Sequence, residues 1–242
     1  MIRVMLLLAV LLMLATQYAS ASEIVKPGEY ITSGGWGEMK ISRAADGSLK
    51  FEISAIGGNA HTCGLNGKIV GGRAVLDGSG EDKPCIVTFR SEGKGVQVSD
   101  NDACSNYYCG ARASFTGLYL KPLPVCESMS VMQARKEFKR LYDMKSYRKA
   151  FRALEPVYRN CADMTLWSEL GLIRNDLAIT QYKMGDYTGC LKMLKPLEAD
   201  ARLSEEALRE NYAPADADTI IPIAKAARTN LELCRKGKDA KP

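Results

Sequence analysis

The chain is poor in the residues on which most catalytic sites are built. It has a single histidine, His61, among 242 residues, which excludes paired-imidazole sites such as His-Glu-x-x-His. No Gly-x-Ser-x-Gly elbow and no Cys-x-x-Cys redox pair occurs in it, so neither serine-hydrolase nor thioredoxin-type chemistry has its usual carrier. Residues 78–83 are glycine-rich but lack the spacing of a phosphate loop, and read as a hairpin tip. Charge of one sign is scarce as well. The 33 basic residues face 28 acidic ones, a formal net charge of +5, too mild to call for nucleic acid. Beyond residue 22 there is no apolar run long enough to span a bilayer.

Cysteine is abundant, with eight residues, and the first is Cys63. They follow an N-terminal stretch with the form of a secretion signal. Arg3 is its positive end, residues 4–15 are uninterruptedly apolar, and Ala19-Ser20-Ala21 has the small-x-small form of a cleavage site. The expected signal peptide is 1–21, and the mature protein is expected in the periplasm or outside the cell, soluble after cleavage. Such compartments favour disulfides over reactive thiols.

Composition divides the remainder. Residues 22–125 are rich in glycine, serine and β-branched residues, with 11 basic and 11 acidic side chains; residues 126–242 hold 21 basic and 17 acidic ones among many leucines and alanines. Lys121-Pro122-Leu123-Pro124 marks the seam, since proline suits neither strand nor helix interiors. In the first part, Met39-Lys40-Ile41-Ser42 and Phe51-Glu52-Ile53-Ser54 alternate as half-buried strands do, about an Asp46-Gly47 turn. Further alternating segments at short spacing predict seven or eight strands in a small barrel or sandwich. The likeness of Gly28-Glu29-Tyr30 to Gly117-Leu118-Tyr119 suggests that first and last strands pair.

The second part repeats itself. Tyr142-Asp143-Met144-Lys145-Ser146-Tyr147 returns 40 residues later as Tyr182-Lys183-Met184-Gly185-Asp186-Tyr187, and Ala150, Leu154, Pro156 and Val157 align with Cys190, Leu194, Pro196 and Leu197. A repeat of this length marks stacked helix pairs. The segment 181–191 resembles the tetratricopeptide repeat in its turn glycine, the tyrosine two residues on and the small residue opening the second helix. The aligned prolines should bend the second helices, and residues 230–236 should end a capping helix. The expected fold is therefore α+β with two domains, a small disulfide-containing antiparallel β-barrel or sandwich followed by an α-helical tetratricopeptide-like repeat domain.

Five cysteines lie at or before the seam and three beyond it, so one bridge is expected to cross. In an antiparallel helix pair the start of the first helix meets the end of the second, which favours Cys126–Cys161. Cys190–Cys234 would then join the repeat to the capping helix. For the β-part, Cys63–Cys85 with Cys104–Cys109 is selected from three connectivities, which sequence alone does not distinguish.

Cys109-Gly110-Ala111-Arg112-Ala113-Ser114-Phe115-Thr116-Gly117-Leu118-Tyr119 resembles a cysteine-containing module of Gram-negative periplasmic proteins, some of them grouped with the LprI-type lysozyme inhibitors. The resemblance implies a bacterial periplasm.

Candidate binding residues follow from two features. Trp36, in Ser33-Gly34-Gly35-Trp36-Gly37, stands on a glycine-rich loop as an anchor for a partner or sugar, or as a core plug. Between 135 and 159, nine cations face three carboxylates, and Arg140, Lys145, Arg148, Lys149 and Arg152 form either a solvated face or a surface for an acidic partner. Arg112 joins them from the CGARxxFxGxY module. The reading is a periplasmic, non-catalytic binding protein for an envelope protein or cell-wall polymer, with no cofactor, metal or nucleic acid. The alternatives are an inhibitor or immunity protein against a wall-degrading enzyme, and a hydrolase using His61. A Cys63 nucleophile or zinc site beside His61, and a glycosidase pair such as Glu29 and Glu38, are the forms chemistry could take.

Overall fold

A computed structural model describes residues 25–77 and 83–240; the expected signal peptide and most of the 78–83 tip lie outside them. The protein is α+β, with an eight-stranded antiparallel, nearly closed barrel followed by a helical domain. The strands are β1 (Gly28–Thr32), β2 (Gly37–Arg43), β3 (Leu49–Ile56), β4 (Thr62–Ile69), β5 (Arg73–Leu76), β6 (Cys85–Glu92), β7 (Gly95–Asp100) and β8 (Gly117–Leu120).

Strict alternation builds the barrel. In β2 and β3 every second side chain is buried, from Met39 and Ile41 to Phe51, Ile53 and Ala55, as a period of two requires of a sheet with one wet face. The sheet order is β4-β3-β2-β1-β8-β7-β6-β5, two four-stranded meanders joined where first and last strands pair, Ile31 opposite Leu120 and Thr32 opposite Tyr119. The edge strands β4 and β5 follow each other in the chain and meet at one bridge, between Val70 and Arg73, which brings the two ends of the sheet together. Phe51 and Phe89 meet inside at a tilt of 56°, ring centroids 4.8 Å apart.

Disulfide pairing in the barrel differs from expectation. Cys63 is bonded to Cys109 and Cys85 to Cys104, not Cys63 to Cys85 and Cys104 to Cys109. Cys104 and Cys109 flank the one-turn helix α1 (Ser105–Tyr108), which holds them apart and presents each to a different strand. Cys63 is the second residue of β4, Cys85 opens β6, and the two bridges clip α1 between them.

The helical domain contains α2 (Ser128–Asp143), α3 (Tyr147–Cys161), α4 (Trp167–Lys183), α5 (Tyr187–Leu194), α6 (Glu198–Ala201), α7 (Glu205–Asn211) and α8 (Pro214–Asp239). The 40-residue repeat is real in three dimensions. The α2–α3 and α4–α5 turns share a tyrosine clasp, Tyr142–Tyr147 at 5.3 Å and Tyr182–Tyr187 at 5.8 Å between centroids. They also share a left-handed residue, Lys145 (φ 57°) in one copy and Gly185 (φ 76°) in the other. Ala150 and Cys190, then Leu154 and Leu194, are fully buried at matching places. The prolines diverge: Pro156 lies within α3, whereas α5 stops at Leu194 and Pro196 sits in a 3-10 turn, Lys195–Leu197. Helix α8 closes the stack against α4, α5, α6 and α7, joined to α4 by a buried bond from Asn230 Nδ2 to Asn175 Oδ1 at 3.0 Å.

Cys126–Cys161 and Cys190–Cys234 are formed as expected. The first does not cross between domains. Cys126 is buried with Phe138, Leu141, Leu154 and Val157, so the cysteines divide four and four and each domain is stapled internally. Among the described residues no helix is long and apolar enough to cross a membrane.

On α4, burial pushes the Asp176 carboxyl above its ordinary range, only partly offset by Arg135 and Lys139. A raised folded-state pKa favours the folded state while the acid is protonated, and that advantage is lost as pH rises through the folded value. Asp176→Asn is therefore expected to raise Tm at pH 7 and to leave it unchanged well below the ordinary carboxylate pKa of about 3.9; melting curves at the two pH values check this.

Candidate functional site

The two domains touch through glycine and asparagine turns. The β1–β2 turn has Gly34 and Gly35 at φ 83° and 67°, a backbone region that costs side chains energy. Gly34 N–H donates to the Asp163 carbonyl at 2.6 Å. At Gly35 a Cβ would lie 2.4 Å from the Leu166 nitrogen, so only glycine lets the turn press on the α3–α4 connection. A second contact is made by Asn59, itself left-handed (φ 56°). Its side-chain oxygen accepts from Ala215 N–H at 2.9 Å, while Asp216 Oδ2 accepts from Asn59 N–H at 2.9 Å. Ala213, the residue before α8, offers no side-chain cap. The barrel thus supplies the cap of a helix in the other domain, satisfying an amide that would otherwise be orphaned.

Between these contacts lies an open cleft of about 460 Å³. Trp36 and Trp167, the chain's two tryptophans, both line it, one from each domain. Trp36 is half-buried. It meets the Tyr119 ring edge-on with centroids 6.2 Å apart, and a Cβ at Gly117 would lie only 3.4 Å from its ring. Trp167, opening α4, is 44% exposed. The polar lining is mostly hydroxyl: Ser114, Thr116, Ser168 and Thr219. Among the described residues, Asp216 is the one charged residue lining the cleft, and one of its oxygens is engaged by Asn59. A second cavity of about 790 Å³ shares Trp36, Ile56 and Leu166 and continues along the seam past Cys126–Cys161 and the Arg135–Glu169 ion pair.

The expected site residues separate into distinct places. Trp36 is in the cleft. Arg112 is exposed in a barrel turn outside it. Arg140 is held by Glu137 through two bonds, at 2.8 and 2.7 Å. Lys145, Arg148, Lys149 and Arg152 gather in a separate concavity at the α2–α3 turn. Trp167 and Asn59 were not singled out by sequence; tryptophan's scarcity is the signal that marks Trp167.

His61 lies at the barrel end against Gly110, where a Cβ would be 2.6 Å from its Nδ1. Cys63 beside it is consumed in a disulfide, so a Cys63 thiolate, as nucleophile or zinc ligand, does not exist in this form. Glu29 and Glu38 share a shallow cavity of about 210 Å³ on the outer strand face. Both touch solvent.

No protein-family model, curated protein or solved structure matches this chain.

Proposed function

We propose that the protein is a non-catalytic binding protein of the bacterial periplasm whose interdomain cleft holds a cell-wall glycan. The observation that carries this reading is the convergence of both tryptophans, one from each domain, on one open cleft. An indole offers a flat apolar surface with a single donor at its edge, suited to the C–H face of a sugar ring. The surrounding serine and threonine hydroxyls can exchange hydrogen bonds with sugar hydroxyls. A cleft with no cation in its lining among the described residues suits a neutral polyhydroxylated ligand better than a phosphorylated one. Four disulfides agree with an oxidising compartment.

The test is calorimetric titration with soluble cell-wall glycan fragments. Trp167→Ala is expected to weaken binding by about 2 kcal/mol, roughly 30-fold, without lowering Tm, because Trp167 is substantially exposed. The absence of heat from every wall fragment would remove the proposal.

A further inference from the structure

Many cations of the helical domain are paired with acids. Lys139, Arg159, Arg202 and Arg209 each face an acid one helical turn away, and Arg140 and Arg135 are paired with Glu137 and Glu169. Lys145, Arg148, Lys149 and Arg152 have no ion-pair or hydrogen-bond partner for their side chains among the described residues. All four are exposed, and all four line one open concavity of about 450 Å³. Their spacing sets like charges three and four residues apart, which works against the helix. A backbone cost accompanies the electrostatic one. Lys145 occupies a left-handed conformation (φ 57°) at the place where the second copy of the repeat has Gly185. The fold keeps a lysine where its own repeat uses the residue suited to that geometry, and strain retained in this way is characteristic of working surfaces.

The apolar neighbours indicate the occupant. Met184, from the second turn, lines the same concavity, so both interhelical turns face one end of the domain. Met144 beside Lys145 is 63% exposed. Long cationic side chains spread over an open surface, with one methionine in their concavity and another exposed beside Lys145, match an array of phosphates above hydrocarbon better than a single shaped anion. The geometry points to this helical tip, Lys145, Arg148, Lys149 and Arg152 with Met144 and Met184, as a docking surface for an anionic phospholipid bilayer. This site is separate from the cleft, and its test does not depend on the glycan reading.

The experiment is co-sedimentation of the full protein with vesicles of phosphatidylcholine alone and of one part phosphatidylglycerol to three of phosphatidylcholine. Binding is expected only to the anionic vesicles, and it should fade between about 0.05 M and about 0.5 M salt as screening tightens. Arg148→Gln with Lys149→Gln should weaken it about 30-fold, and Lys145→Gln with Arg152→Gln by a similar factor. Both pairs remove like-charge neighbours, so the helices should remain folded by circular dichroism. Lys50→Gln with Lys68→Gln, on the barrel, removes the same charge and should leave binding unchanged. Lys145→Gly should raise Tm and still bind about 5-fold more weakly, a combination that a purely structural lysine would not produce. The inference is overturned by absence of binding to anionic vesicles at low salt, or by equal losses in the barrel control. It is also overturned if soluble polyglutamate binds as tightly with the same losses, since that assigns the surface to an acidic protein.

Discussion

Gly35→Ala is expected to part the two domains and to abolish binding in the cleft. The new Cβ would meet main-chain atoms, the Leu166 nitrogen at 2.4 Å and the Met164 carbonyl oxygen at 2.6 Å, and main chain between two helices cannot swing aside as a side-chain tip can. The residue would also hold φ near 67°, outside the comfortable range of alanine. Overpacking and the left-handed backbone together cost about 2–4 kcal/mol, and retreat of the β1–β2 turn from the α3–α4 connection would relieve the clash. The hydrogen bond from Gly34 to Asp163 would be lost with it. Trp36, on the same turn, would then no longer oppose Trp167. Thermal unfolding should split into two steps, and glycan binding should fall below detection while each domain keeps its own disulfides and core. Gly47→Ala supplies the control. It also has positive φ (81°), but open space surrounds it, so it should cost about 1 kcal/mol and leave the transition single. A single transition in Gly35→Ala with normal affinity would show that domain docking is dispensable.

Replacing Cys126 and Cys161 with serine should give a large loss of stability. The bridge closes a loop of 35 residues, for which chain entropy predicts about 4 kcal/mol, or roughly 10 °C in Tm for a protein of this size. Both sulfurs are buried among Phe138, Leu154 and Val157, so two hydroxyls would also enter an apolar core without partners there. Because both cysteines line the second cavity along the seam, the groove should loosen too. Calorimetry of the double variant checks the loss; a fall under about 1 kcal/mol would mean that the denatured chain is already held together by other means.

Much of this architecture was legible because it is local. Period-two alternation in 39–42 and 51–54 depends on which face of a strand is wet, and the 40-residue repeat depends on like segments making like turns. Cys126–Cys161 could be paired from sequence because the end of α3 must return to the start of α2. Pairing in the barrel was not accessible in the same way. Cys104 and Cys109 are five residues apart, yet they reach strands that come together only when the sheet curls, and a one-turn helix between them decides the matter. The position of Trp36 on a glycine-rich loop was readable, but not its direction, because Gly35 takes its meaning from Leu166, which is 131 residues away. Asn59 was invisible for a similar reason: its role as a helix cap exists only once α8 lies against the barrel. The cations from Lys145 to Arg152 could be counted in sequence. What separates them from Arg140 and Lys139 is pairing, and that is a property of the folded surface.

The central claim is that ligand is held between Trp36 and Trp167. Because these are the chain's two tryptophans, intrinsic fluorescence reports on the cleft without a label. Titration of the unmodified protein with a wall glycan shown by calorimetry to bind should shift the emission to shorter wavelength as water leaves the indoles. The signal should saturate at the calorimetric affinity, and in Trp167→Phe the residual shift should come from Trp36. A glycan that binds by calorimetry while leaving the tryptophan emission unaltered would contradict the account.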